Sequence, residues 1–152
     1  MGETVDLAVL SGGSVVFVDQ VQGRQRLVAL SAVGERFPLH CTANGKAILS
    51  CFSEADADGL IARSLAEHPG HPLKDRKRLL GEIEAARVTH LAIDLGEHGE
   101  GICAIGMAML DGWGRPVAIS IPVPQQRFAD ARPMLEQRLL AFRETIRPVI
   151  AR

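Results

Sequence analysis

The chain is short of aromatic residues, cysteine, net charge and long apolar runs, and each shortage narrows what it can be. With five Phe, one Trp and no Tyr in 152 residues, its core must be aliphatic. Cys41, Cys51 and Cys103 are an odd number with no CxxC pair, which suits a reducing compartment better than a disulfide scaffold. A net charge of -1 gives no electrostatic reason for this piece to bind nucleic acid. The sequence holds no signal peptide and no membrane-length apolar run, so a cytoplasmic protein without a membrane partner is expected. No internal repeat and no low-complexity stretch is present. What remains is 47% hydrophobic in 16.4 kDa, enough for one packed domain and too apolar for disorder.

Read in order, residues 1–6 form a short lead-in, and a start this close to a strand points to a fragment. Residues 7–10, the turn 11–14 and residues 15–21 read as strand, turn and strand, with Val15, Phe17 and Val21 on one face. A third strand is predicted at 27–31, followed by a loop over 32–37. Ser53, with Asp56 three residues on, opens a helix carrying Leu60, Ile61, Ser64 and Leu65. The breaker cluster 68–72 ends it. A further helix runs from Asp75 to about Arg87, burying Leu79, Leu80, Ile83 and Ala86. The basic run at its start (Lys74, Arg76, Lys77, Arg78) lacks interleaved aromatics and is a solvated face.

Strands return at 89–94. A Gly-rich acidic loop over 96–101 leads to residues 102–110, apolar throughout and predicted to be buried on both faces. Asp111-Gly112-Trp113-Gly114 signals a hairpin, and the following strand places Val117, Ile119 and Ile121 opposite Ala118, Ser120 and Pro122. Phe128, Ala131, Leu135, Leu139, Phe142, Ile146 and Val149 mark a long C-terminal helix, with Asp130 as its predicted cap and Pro133 in its first turn. Strands, then helices, then strands joined by tight hairpins predict an α+β fold with a mainly antiparallel sheet.

The stretch 38–50, PLHCTANGKAILS, is the most informative. Ala43, Ala47, Ile48 and Leu49 lie at helical spacing, and Thr42 is a plausible N-cap. The first amides of a helix have no internal partner and can receive a carboxylate or phosphate. Small residues at Ala43 and Gly45 are expected to let such an anion approach. Every helix has such an end, and from physics alone a capped structural helix is the plain reading.

GERFPLHCTANGKAIL (34–49) resembles the most recognisable segment of the effector-binding domain of IclR-type bacterial transcription regulators. AIDLGEHGEGICAIGMAMLDGWGRPVAISIPVPQQRF (92–128) is similar to the later part of the same domain, and the two blocks fall in family order. The resemblance implies a GAF/PAS-like six-stranded sheet flanked by helices, with the whole of 1–152 as the sensing domain. It implies dimers or tetramers, and a winged helix-turn-helix, absent from this chain, that carries the DNA contacts. It also implies a small organic acid as effector, with backbone contacts at Ala43 and Asn44, a hydrogen bond from Ser120 and Asp94 accepting from a ligand hydroxyl. Phe37, Ile102 and Ala104 would be apolar wall, with Ala29 beside them. Two departures stand out: Pro122 replaces a second serine, and Asn44 adds a side-chain amide within the turn. No cofactor is expected.

Two other readings compete. His98 with Asp94, Glu97 and Glu100 offers metal-ligand types, but no spacing there matches an established site, and no metal is expected. His40 and Cys41, read as strand neighbours, would face opposite ways. Cys41 is read as a small buried apolar residue. A GAF-like cysteine-dependent redox enzyme would need a stabilised thiolate. The serines lack a GxSxG elbow. A purely oligomerising module with a closed core is the remaining alternative. The leading expectation is a non-enzymatic small-molecule sensor.

Overall fold

The hydrophobic alternation folds into one sheet in the computed structural model, which describes residues 2–25 and 33–150, with side chains as far as residue 147. The predicted strand 27–31 and Ala29 lie outside the described residues. The elements run β1 (Val5–Ser11), β2 (Ser14–Val21), β3 (Arg36–Pro38), α1 (Ala43–Leu49), α2 (Glu54–Glu67), α3 (Arg76–Thr89), β4 (Ala92–Asp94), β5 (Ile102–Leu110), β6 (Pro116–Pro124) and α4 (Gln125–Ile150). The six strands lie in the order β3-β2-β1-β6-β5-β4, and every neighbouring pair is antiparallel.

Strand parity decides which helix each residue meets. On one face Ala8, Phe17 and Ala118 join Ile48 and Leu49 of α1, Ile61 of α2 and Ile83 of α3. On the other, Cys103, Ile105, Met107, Ile121 and Val123 pack against Phe128, Leu135 and Leu139 of α4. Helices on both sides explain why β5 and β6 read as nearly continuous apolar runs although the sheet is antiparallel. The burial predicted for all of β5 fails at its ends, where Ile102 is 37% and Leu110 47% exposed, and is partial at Ala104, Ala108 and Met109.

The caps predicted at Thr42 and Ser53 form, and Asp75 caps the third helix. The amide of Gly45 donates to Thr42 Oγ1 at 3.1 Å, that of Asp56 to Ser53 Oγ at 3.2 Å and that of Arg78 to Asp75 Oδ1 at 3.0 Å. The C-terminal helix corrects its prediction. It follows β6 without a loop and starts at Gln125, so Asp130 is interior and exposed, and Pro133 lies in the third turn. Pro133 and Ala129, whose carbonyl loses a donor, both face solvent, where water satisfies that carbonyl. The lead-in is tied down as well: the buried carboxylate of Glu3 accepts from Arg127 Nε at 2.7 Å and from its second guanidinium nitrogen at 2.9 Å. No helix among the described residues is long and apolar enough to cross a membrane.

Candidate functional site

The turn between β3 and α1 brings the chain back over the sheet. Thr42 holds it from both sides, accepting from Gly45 and donating its own hydroxyl to the Pro38 carbonyl at 2.6 Å. A Cβ on Gly45 would lie 2.3 Å from the Leu39 carbonyl oxygen and 2.5 Å from Leu39 Cα. Its bare side is therefore filled by the reversing chain, and the space expected there for an anion does not exist. On the sheet side, a Cβ on Gly106 would meet the Ala43 carbonyl carbon at 3.2 Å and the Asn44 nitrogen at 3.3 Å. Gly45 lets the reversing chain pass against α1, and Gly106 lets α1 settle onto β5.

A cavity of about 70 Å³ opens at the start of α1. All eight residues singled out from the sequence line it: Phe37 from β3, Ala43 and Asn44 from α1, Asp94 from β4, Ile102 and Ala104 from β5, and Ser120 and Pro122 from β6. Register explains the gathering, since Ala104 pairs with both Asp94 and Pro122 across the sheet, and Ser120 pairs with Gly106 and Asp6. The cavity exceeds the roughly 10–15 Å³ that one water needs, and it is far smaller than a drug-sized pocket of ~300–1,000 Å³.

Its polar groups point different ways. Asn44 Oδ1 accepts from the Gly45 amide at 2.9 Å, and its side-chain NH₂ bonds to no other described residue. The Ser120 hydroxyl is likewise without a hydrogen bond to another described residue. Asp94 Oδ1 accepts from the Glu97 amide at 2.7 Å, and burial pushes the Asp94 carboxyl up to about 6 despite that bond. Pro122 offers no donor, as expected of it.

Other wall residues were missed. Asp6 was assigned to the lead-in but lies in β1, buried, accepting from Gln20 Nε2 at 2.8 Å. Thr42, Phe17 and His98 also line the cavity. Phe17 and Phe37 stack with ring centroids 4.7 Å apart, and His98 meets Phe37 edge-on at 4.9 Å.

The most consequential omission is Lys46, which is fully buried on α1. Its ammonium donates to Glu82 on α3 at 2.7 Å, to the Ile93 carbonyl at 2.8 Å and to Glu97 at 2.5 Å. One charge thus ties α1 to α3 and to the loop that carries Asp94 and His98. Its place three residues after Ala43 and one before Ala47 is the only signal the sequence holds for it.

One expectation about this region is overturned. His40 and Cys41 lie in the turn after β3, not in a strand, and both line a second cavity of about 190 Å³. His40 is buried, with Nδ1 2.8 Å from Ser64 Oγ and Nε2 against the His71 carbonyl. Because the His71 carbonyl can only accept, His40 Nε2–H donates to it, and in the neutral ring Nδ1 then accepts from the Ser64 hydroxyl, whose oxygen also accepts from the Leu39 amide at 3.1 Å. Burial also lowers the His40 pKa, in keeping with a neutral ring. His98, for its part, does not join Asp94, Glu97 and Glu100 in a cluster. Glu97 is held by Lys46, Asp94 turns to the Glu97 amide and Glu100 is exposed.

The cysteines argue against thiol chemistry. Burial pushes Cys41 up to about 12, with the carboxylates of Asp94 and Glu97 adding to it, and burial raises Cys51 and Cys103 as well. A redox enzyme needs the opposite shift.

Residues 1–147 match the family described as "Bacterial transcriptional regulator IclR C-terminal". The chain belongs to the IclR family. It is 45% identical over 143 residues to the HTH-type transcriptional regulator Rv1719 of Mycobacterium tuberculosis, covering 93% of this chain and 55% of that protein. It is 31% identical over 150 residues to the HTH-type transcriptional repressor AllR of Escherichia coli, covering 97% of this chain and 55% of the repressor. The fold matches the IclR effector domain from Acinetobacter sp. ADP1 with a TM-score of 0.81 at 17% identity, covering 92% of this chain and 83% of that one. It matches Thermotoga maritima IclR with a TM-score of 0.72 at 27% identity, covering 92% and 57%. The chain spans about half the length of the curated relatives it matches. It is an IclR C-terminal domain, of a class of regulators and not of enzymes.

Proposed function

We propose that this IclR domain senses a small organic acid or hydroxy acid in the cavity at the start of α1 and passes the result to a DNA-binding domain outside this chain. The observation that carries the reading is the convergence of β3, α1, β4, β5 and β6 on one small cavity, where the Asn44 amide and the Ser120 hydroxyl have donors unpaired among the described residues. An acid group would be held by the amides of Ala43 and Asn44, the Asn44 side chain and the Ser120 hydroxyl. Asp94 would accept from a ligand hydroxyl. Regulation follows only if the effector binds one arrangement of domains or subunits more tightly than another. The working protein is proposed to be a dimer or tetramer and to act in the cytoplasm; an apolar surface at Val21, Ile119 and Phe142 supports self-association.

A second reading has its own observation. Among the described residues Asp6 and Asp94 line the cavity and no Lys or Arg does, which favours a neutral, donor-rich ligand over a dianion. A thermal-shift screen with 2-oxo acids, hydroxy acids, aromatic carboxylates, amides and polyols, repeated on Ser120→Ala, separates the two. A ligand at ~100 times its dissociation constant should add roughly 2.7 kcal/mol of stability. A saturable shift by an acid, weakened in Ser120→Ala, supports the first reading. A response confined to amides or polyols supports the second, and a shift indifferent to Ser120→Ala displaces the site.

A further inference from the structure

Of the five histidines of the chain, His71, His68 and His40 all act to lower the protonation of His98, and the buried Cys41 lies beside His71 and His98. We propose that Cys41, His71 and His98 form a site for a single borderline-soft divalent cation such as Zn²⁺. The inference does not rest on the effector reading.

Geometry carries it. The Cys41 sulfur and one ring nitrogen each of His71 and His98 all lie within 4.8 Å of one another. Ligands of a tetrahedral zinc, at about 2.0–2.3 Å from the metal, are roughly 3.5 Å apart, so closure needs a contraction of about 1 Å. His71 lies in the connection between α2 and α3, and His98 in the one between β4 and β5, where such a shift disturbs no helix or strand. Cys41 is fixed by the turn, between His40, anchored to Ser64, and Thr42, anchored to Pro38. The three ligands thus come from three connections and converge, one held rigidly and two adjustable.

The chemistry of the donors agrees. His98 Nδ1 is buried without a hydrogen-bond partner among the described residues, a cost that coordination or a slight turn of the ring toward a metal would remove. The His71 and His98 rings lie 4.9 Å apart and tilted at 33°, an arrangement that puts two imidazoles side by side. Burial and the neighbouring histidines hold His98 near pKa 4, so its ring is a neutral ligand at neutral pH. The Cys41 thiol keeps its proton without a cation, and a bound metal displaces that proton to solvent as the sulfur becomes a thiolate ligand. Cys41 and His71 border the 190 Å³ cavity, leaving room for water as a fourth ligand. One thiolate and two imidazoles suit Zn²⁺ or Co²⁺ and exclude Mg²⁺ and Ca²⁺, which require oxygen.

The test is titration of the reduced, EDTA-treated, tag-free domain with Co²⁺, followed by displacement with Zn²⁺. The expected result is one equivalent bound with an intense thiolate-to-cobalt charge-transfer band that Zn²⁺ abolishes. Cys41→Ser should remove the band, while Cys51→Ser and Cys103→Ser keep it. His71→Ala, on a half-buried connection and expected to fold normally, should weaken binding by more than the ~10–100-fold that losing an outer partner costs. Absence of stoichiometric binding, or a charge-transfer band that survives Cys41→Ser, overturns the proposal. Unchanged affinity in His71→Ala removes that residue from the ligand set and overturns it equally.

Discussion

Replacing Lys46 by methionine asks whether one buried ammonium holds the site loop to the helices. The substitution keeps the length and apolar stem of the side chain, so no large cavity accompanies the loss of charge. Removing one partner of a buried ion pair costs about 3–5 kcal/mol. Here Glu82 and Glu97 each keep 30% of their side-chain surface exposed and can rehydrate, which moves the expected cost to the lower end of that range. The Ile93 carbonyl also loses its donor, at roughly 1 kcal/mol for a group that is only half-buried. We expect about 4 kcal/mol in total, a fall in urea midpoint of about 1.5–3 M with an unchanged slope, and a drop in Tm of about 8–16 °C.

Arg78→Ala is the matched control, because Arg78 pairs with the same Glu82 at 3.2 Å but is 59% exposed. It should cost no more than about 0.5 kcal/mol. Adding Glu97→Gln to Lys46→Met should cost less than the sum of the two single changes by about 1 kcal/mol or more. A Lys46→Met loss under ~1 kcal/mol, or one equal to that of Arg78→Ala, would refute the reasoning. The buried pair would then be no more than a surface pair seen at close range.

Gly45→Ala should destabilise by ~3 kcal/mol or more in chemical denaturation, since its Cβ would strike the Leu39 backbone, which no rotamer change can move. Gly59→Ala, in the exposed interior of α2 with nothing within 4 Å of the added carbon, should instead stabilise by about 0.5–1 kcal/mol. Asp94 gives a pH dependence of definite sign: its carboxyl is raised from 3.8 to about 6 in the folded chain, so between those values the folded state binds more protons than the unfolded one. Stability from this group is therefore greatest below pH ~4, falls as pH rises, and has lost up to ~3 kcal/mol above pH ~6. Asp94→Asn should remove that component and be at least as stable as the parent at pH 7; urea midpoints that run parallel with pH in the two proteins would contradict it.

What the sequence reveals of this molecule is what lies within one element or follows from family order. The caps at Thr42 and Ser53 are legible because the capping oxygen and the amide it satisfies are three residues apart. The parity of β5 and β6 is legible because side chains alternate, and it carried Ala104, Ser120 and Pro122 to one wall. The start of α4 was not, because its own pattern contains both a capping-type residue at Asp130 and a proline at Pro133. Only the direct run from β6 into the helix, with the Gln125 amide donating to the Gly101 carbonyl at 2.8 Å, fixes the true start. Lys46 was illegible for a stronger reason. Its partners, Glu82 and Glu97, are 36 and 51 residues away, and no local period separates a lysine aimed into the core from one aimed at water. The same holds for Cys41, His71 and His98, whose spacing of 30 and 27 residues resembles no metal motif until three connections fold to one place. In this domain the polar groups that distinguish it from a generic α+β sheet are joined by long-range contacts. A pattern reading therefore finds the walls of its cavity and misses the charge and the donors behind them.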